Sequence, residues 1–156
     1  MRKNDKETVL KTLCERLPYG VKVLHQGWNY EWDDEMSYVL TVTGIDTKGE
    51  IIQYDFNGEK ETHSYGDPLD IDLPILRPMA TMTDEERDEV SQICYDIDLT
   101  KEGISIIKQN LPYQKVSAVM DWLNARHFDY DDLIGRKLAV EDFSGVYKKD
   151  YVSKPC

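Results

Sequence analysis

Residues 38–65, YVLTVTGIDTKGEIIQYDFNGEKETHSY, decide the fold class. Tyr38, Leu40 and Val42 alternate with Val39, Thr41 and Thr43. A period of two sends the two sets to opposite faces of a β-strand. Thr47-Lys48-Gly49 reads as a hairpin turn into a second strand, Glu50–Phe56. Asn57-Gly58 is the strongest short hairpin signal in the chain, because both residues accept the positive φ that a tight two-residue loop needs. His63–Tyr65 reads as a further short strand, and Asp67-Pro68 turns the chain.

Working outward, Val21 and Val23 alternate with Lys22 and Leu24, and Leu73–Leu76 can close the sheet before Pro78. Residues 21–78 are therefore expected to form a small antiparallel β-sheet or barrel-like unit of four or five short strands. Ahead of it, Val9, Leu10, Leu13, Cys14 and Leu17 recur at helical spacing, predicting an N-terminal helix over 5–17 that Pro18 and Gly20 end.

Behind it, residues 83–147 read as a helical unit. Thr83-Asp84-Glu85-Glu86 is a capping box, followed by the stripe Val90, Ile93, Cys94 and Ile97. Thr100 caps an expected second helix with Ile104, Ile107 and Leu111 apolar, and Pro112 interrupts it. Val116, Val119, Met120 and Leu123 mark a third helix ending near Arg126. A short helix over Asp131–Lys137 and a short terminal strand within 138–147 complete the expectation. The fold class is thus α+β, in a single domain over 1–156 with a flexible tail at 148–156.

Composition narrows the function classes. The chain has 156 residues, 40% of them hydrophobic, which suits a globular core. It lacks an apolar run long enough for a membrane helix, and its charged start has no signal-peptide apolar region. Cys14, Cys94 and Cys156 are an odd, widely spaced set, best read as reduced thiols in a cytoplasm. The net charge of −11 is concentrated in the middle: residues 29–103 carry twenty acids against five bases. That field repels nucleic acid and anionic membranes and attracts a basic protein surface.

Residues 121–141, DWLNARHFDYDDLIGRKLAVE, carry a family resemblance. They resemble an uncharacterised family of short proteins encoded by prophages and mobile elements of gut anaerobes. Members of that family read "WLNAHHFDYRGLI", then "GLALE", then "APEGMY". The matching residues are Trp122, Leu123, Asn124, Ala125, His127, Phe128, Asp129, Tyr130, Leu133, Ile134, Leu138, Ala139, Glu141, Gly145 and Tyr147. LPYGVK at 17–22 and LRPMATMTDEE at 76–86 are similar to the same family. This chain departs from it at Asp131-Asp132, where the family has Arg-Gly, and at Asp142-Phe143-Ser144, where it has Ala-Pro-Glu. The resemblance implies a mobile-element setting and a shared fold, and it transfers no activity.

Three groups of residues could carry chemistry. His127, Asp129 and Tyr130 place an imidazole, a carboxylate and a phenol together, and His127 could be a general base oriented by Asp129. The competing account is structural: a histidine at a helix end meets free carbonyls, and the flanking aromatics pack the next segment. We take the structural account as the stronger, since no nucleophilic Ser or Cys adjoins them in sequence. Trp28, Tyr30 and Trp32 alternate and would share one strand face, either as a binding platform or as packing under helices. The acidic clusters Asp33-Asp34-Glu35, Asp70/Asp72, Asp84–Glu89, Asp96/Asp98 and Asp129/Asp131/Asp132 lack calcium-loop spacing and read as solvated faces. His25, His63 and His127 lie far apart without zinc-site spacing, and no phosphate-loop or nucleophile-elbow motif occurs. No metal or cofactor is expected, and the sequence points away from an enzyme. A non-catalytic protein-binding or accessory role is the leading expectation. An acidic nucleic-acid mimic acting against defence or in regulation is the second, and an enzyme using His127 and Asp129 the third.

Overall fold

In the computed structural model the described residues are 3–29, 34–46, 51–56, 58–64, 71–94, 108–142 and 145–147. They fall into two compact units, Met1–Ile75 with Gly135–Val140, and Leu76–Ile134 with Glu141–Cys156.

The first unit opens with helix α1, Lys3–Arg16, whose Val9, Leu10 and Leu13 are buried as the stripe predicts, whereas Cys14, expected in the same stripe, is exposed. Arg16 closes it from within: its Nη1 donates to the Thr12 carbonyl at 3.2 Å, satisfying an acceptor of the last turn. Leu17–Tyr19 continue as one 3₁₀ turn, and Gly20 at φ 71° ends it. Asp5 of α1 pairs with Arg136 at 3.7 Å, one contact of the 135–140 segment within this unit.

Strands β1 (Lys22–Asn29), β2 (Asp34–Asp46), β3 (Ile51–Phe56), β4 (Glu59–Ser64) and β5 (Ile71–Pro78) follow. They pair antiparallel in the order β4-β3-β2-β1-β5. The sheet is open, so of the two expected forms the sheet is the one adopted and the barrel is not. β2 and β3 meet at Asp46 and Ile51, with the Thr47-Lys48-Gly49 turn outside the described residues. β3 and β4 meet at Phe56 and Glu59. Gly58 sits there at φ 85° and donates its amide to Asp55 Oδ1, as the hairpin signal requires. Asn57 and Asp67-Pro68 lie outside the described residues.

Alternation assigns the faces. Val21, Val23, His25, Leu40, Val42, Ile52 and Tyr54 are buried, while Ser37, Val39, Thr43, Gln53 and Asp55 are exposed. Each fully buried aliphatic or aromatic side chain here contributes about 1.5–3 kcal/mol. Thr43 interrupts the pattern. Val42 pairs with Tyr54 but Gly44 pairs with Gln53, so Thr43 is the extra residue of a β-bulge. Beyond it the inward set on β2 shifts from even to odd positions, and Ile45 comes opposite buried Ile52.

The second unit begins with the last residues of β5 and a 3₁₀ turn over Met79–Thr81. Helix α2, Asp84–Ile93, starts at the expected capping box: Glu86 N donates to Thr83 Oγ1 and Thr83 N to Glu86 Oε1, both at 3.1 Å. Residues 108–110 are helical, whereas Ile97, Thr100, Ile104 and Ile107 lie outside the described residues. Helix α3, Tyr113–Ala125, follows Pro112. Met82, Val90, Cys94, Val119, Trp122, Leu123 and Phe128 form one core, with Ile93, Val116 and Met120 against it. Strand β6, Phe128–Asp129, runs parallel to the end of β5, and β7, Val140–Glu141, also pairs with β5. The sheet is therefore mixed, and the fold α+β.

Two expectations for this unit need correction. The short helix expected over Asp131–Lys137 is a run of turns over 133–137. Asp132 at φ 56° and Lys137 at φ 61° bracket it, and left-handed residues cannot sit inside a right-handed helix. Among the described residues of 138–147, where a terminal strand or extended segment is expected, strand is formed at the two residues of β7. The expected flexible tail, 148–156, lies outside the described residues. No helix among the described residues is long and apolar enough to cross a membrane.

Candidate functional site

The region with the most concentrated polar chemistry is the stretch leaving α3. The helix ends because the chain turns left-handed at His127, φ 60°. Arg126 N donates to Leu123 O at 3.3 Å and His127 N to Asn124 O at 3.1 Å, closing the last turn. Glycine usually fills such a position, and a side chain there costs about 1 kcal/mol. The imidazole offsets that cost by packing: it is buried and stacks on the buried Tyr147 ring, centroids 3.8 Å apart and planes 14° from parallel. The His127 carbonyl accepts from the Arg77 amide at 2.8 Å, which starts the β5–β6 pairing.

The two residues that sequence reasoning set beside His127 have other duties. Asp129 is buried, and its Oδ1 and Oδ2 accept from the amides of Leu133 and Ile134, each at 2.9 Å. It caps the turns that follow, as an N-cap aspartate caps a helix. Tyr130 donates its hydroxyl to Asn124 Oδ1 at 2.8 Å, tying β6 back to the helix it left. Beside Tyr147, Val146 N donates to Asp142 Oδ1 at 2.9 Å.

Sequence reasoning missed the ionic ladder alongside. Phe128 stacks with Trp122 at 5.9 Å, and the guanidinium of Arg77 lies 4.2 Å from the Phe128 ring centre. Arg126 lies 4.1 Å from the Trp122 ring centre. Both arginines therefore gain cation–π contact with buried rings. Glu86 takes both Arg77 nitrogens, at 2.9 and 2.7 Å, while Arg126 bonds Glu89 at 2.9 Å and comes within 4.0 Å of Glu86. Burial pushes the Glu86 carboxyl up. The Arg77 hydrogen bonds, the Thr83 bonds and the Arg77 charge outweigh it and hold the group below its ordinary range. The capping box made Glu86 visible in sequence, but nothing local links Arg77 to Arg126.

In the first unit, buried His25 stacks on Tyr38, its cross-strand neighbour, at 5.8 Å and meets Tyr54 at 6.1 Å. On the opposite face, Val39, Leu24 and Leu73 pair side by side across β2, β1 and β5, with Val39 exposed and the two leucines half-buried.

The aromatic alternation falls outside what the structure describes. Trp28 lies in β1 opposite Glu35, but its side chain lies outside the described residues, as do Tyr30 and Trp32. The same holds for the side chains of His63, Asp33, Asp34, Glu35, Asp70, Asp72, Asp96 and Asp98. Asp84, Glu85, Asp88 and Glu89 on α2 and Asp131 and Asp132 after β6 are exposed. Among the described residues no group of three or more His, Cys, Asp or Glu could hold a metal ion. Cys94 is a core residue, and burial pushes its thiol up, which keeps it a protonated hydrophobe.

No protein-family model, curated protein or solved structure matches this chain.

Proposed function

We propose that this chain acts by binding another protein rather than by catalysis. One observation carries the reading: His127, Asp129 and Tyr130, the polar residues with the best case for chemistry, are each engaged in holding the backbone that follows α3, His127 by stacking on Tyr147, Tyr130 by its bond to Asn124 and Asp129 by capping the turns over 133–137. A general base needs an orienting partner and access to substrate. Here the carboxylate is given to two backbone amides, and the imidazole is buried against Tyr147. The excess of acid in residues 29–103 suits a partner with a basic surface. The resemblance of residues 121–141 to prophage and mobile-element proteins supports looking for that partner in a bacterial cytoplasm.

The test begins with the intact chain immobilised in lysate of a gut anaerobe, followed by titration with the purified partner. A Trp28→Ala/Trp32→Ala double variant that keeps its far-ultraviolet circular dichroism should bind at least tenfold more weakly. Undiminished binding would remove the aromatic face from the proposal. Turnover of nucleotides or phosphoesters by the wild type, lost in a folded His127→Ala variant, would overturn the non-catalytic reading altogether.

A second reading is favoured by α2. Its exposed Asp84 and Asp88 lie about one helical turn apart, with exposed Glu85 and Glu89 beside them, and Arg87 pairs with Asp84 at 2.8 Å. A mimic of nucleic acid would occupy the basic cleft of a DNA- or RNA-binding protein. Its affinity should then fall by an order of magnitude or more between about 50 and 200 mM salt. An association insensitive to salt over that range rules the mimic out and leaves the first reading standing.

A further inference from the structure

We draw no further inference here: the strongest candidate, the aliphatic row of Val39, Leu24 and Leu73 across the partly exposed face of β2, β1 and β5, carries nothing because nothing in the structure shows what covers it.

Discussion

The hairpins of β2, β3 and β4 and the stretch from Trp122 to Tyr147 use polar residues in opposite ways. In the hairpins, Ser37, Thr43, Gln53 and Asp55 of β2 and β3 face outward, and the backbone ladder supplies the strand hydrogen bonds. In the stretch after α3, the chain turns too often for a ladder, and side chains take over that task. Asp129 bonds two amides, Asp142 one, and Tyr130 an amide side chain. A segment without regular structure still has to satisfy its buried backbone groups, and it recruits the residues that would otherwise suggest catalysis. Polar clusters next to helix ends therefore need their bonds traced before a catalytic role is assigned.

The comparison breaks most sharply at Phe128, which is fully buried and touches Trp122 and Arg77. Phe128→Ala should cost about 3–5 kcal/mol in urea denaturation, because it leaves a cavity between the Trp122 ring and the Arg77 guanidinium. A loss below half that range would mean the stretch is held mainly by its polar bonds. Asp129→Ala tests those bonds directly. It strips the acceptor from two amides, one of them buried, and should cost roughly 2 kcal/mol. Asp129→Asn keeps one carbonyl acceptor and should recover about half of that stability. If both variants are as stable as the wild type, the capping role is wrong and a functional role for Asp129 regains ground.

His127 sharpens the contrast further, because the two accounts of it predict different orders of stability. If the residue matters mainly as a left-handed helix end, His127→Gly should be more stable than His127→Ala by about 1 kcal/mol, since glycine relieves the positive φ. Both variants lose the stacking on Tyr147 equally. Equal stabilities, measured by thermal and chemical denaturation, would contradict the helix-end account.

Legibility followed the distance over which partners act. The capping box was readable because Thr83 and Glu86 are three residues apart and their chemistry is reciprocal. The stripes of α1 and α3 and the Gly58 turn were readable for the same reason. The bulge at Thr43 left a trace in the spacing of Leu40, Val42 and Ile45, where a step of two becomes a step of three, but a single irregular step is easily lost in a strand pattern. The turns over 133–137 read as a helix in sequence because composition does not announce that Asp132 and Lys137 turn left-handed. At the candidate site, the sequence puts His127 at a helix end, where an imidazole is expected to meet free carbonyls; the structure shows instead a left-handed backbone and a ring stacked on Tyr147. Its actual partner, Tyr147, lies twenty residues on, and the Arg126–Glu89 pair spans 37 residues, beyond the reach of local pattern.

The smallest expected effect is electrostatic and sits at Glu86, which joins a local device to a long-range one. Its carboxylate accepts the Thr83 amide within the capping box and holds Arg77 by two bonds. Because the folded state lowers the proton affinity of Glu86 relative to the unfolded chain, its charge stabilises the fold at neutral pH. That contribution is complete above the ordinary carboxylate value, near pH 4.3 for an unperturbed glutamate. It is lost as pH falls through the lower folded value. Glu86→Gln keeps an acceptor for the Thr83 amide, so the capping box survives while the charge does not. The variant should be less stable than the wild type by about 1 kcal/mol at pH 7, and the gap should close as the pH drops below about 4. A gap that stays constant with pH would mean that Glu86 acts through shape and capping alone. The ladder of Arg77, Glu86 and Arg126 would then add no electrostatic stability to the stretch it borders.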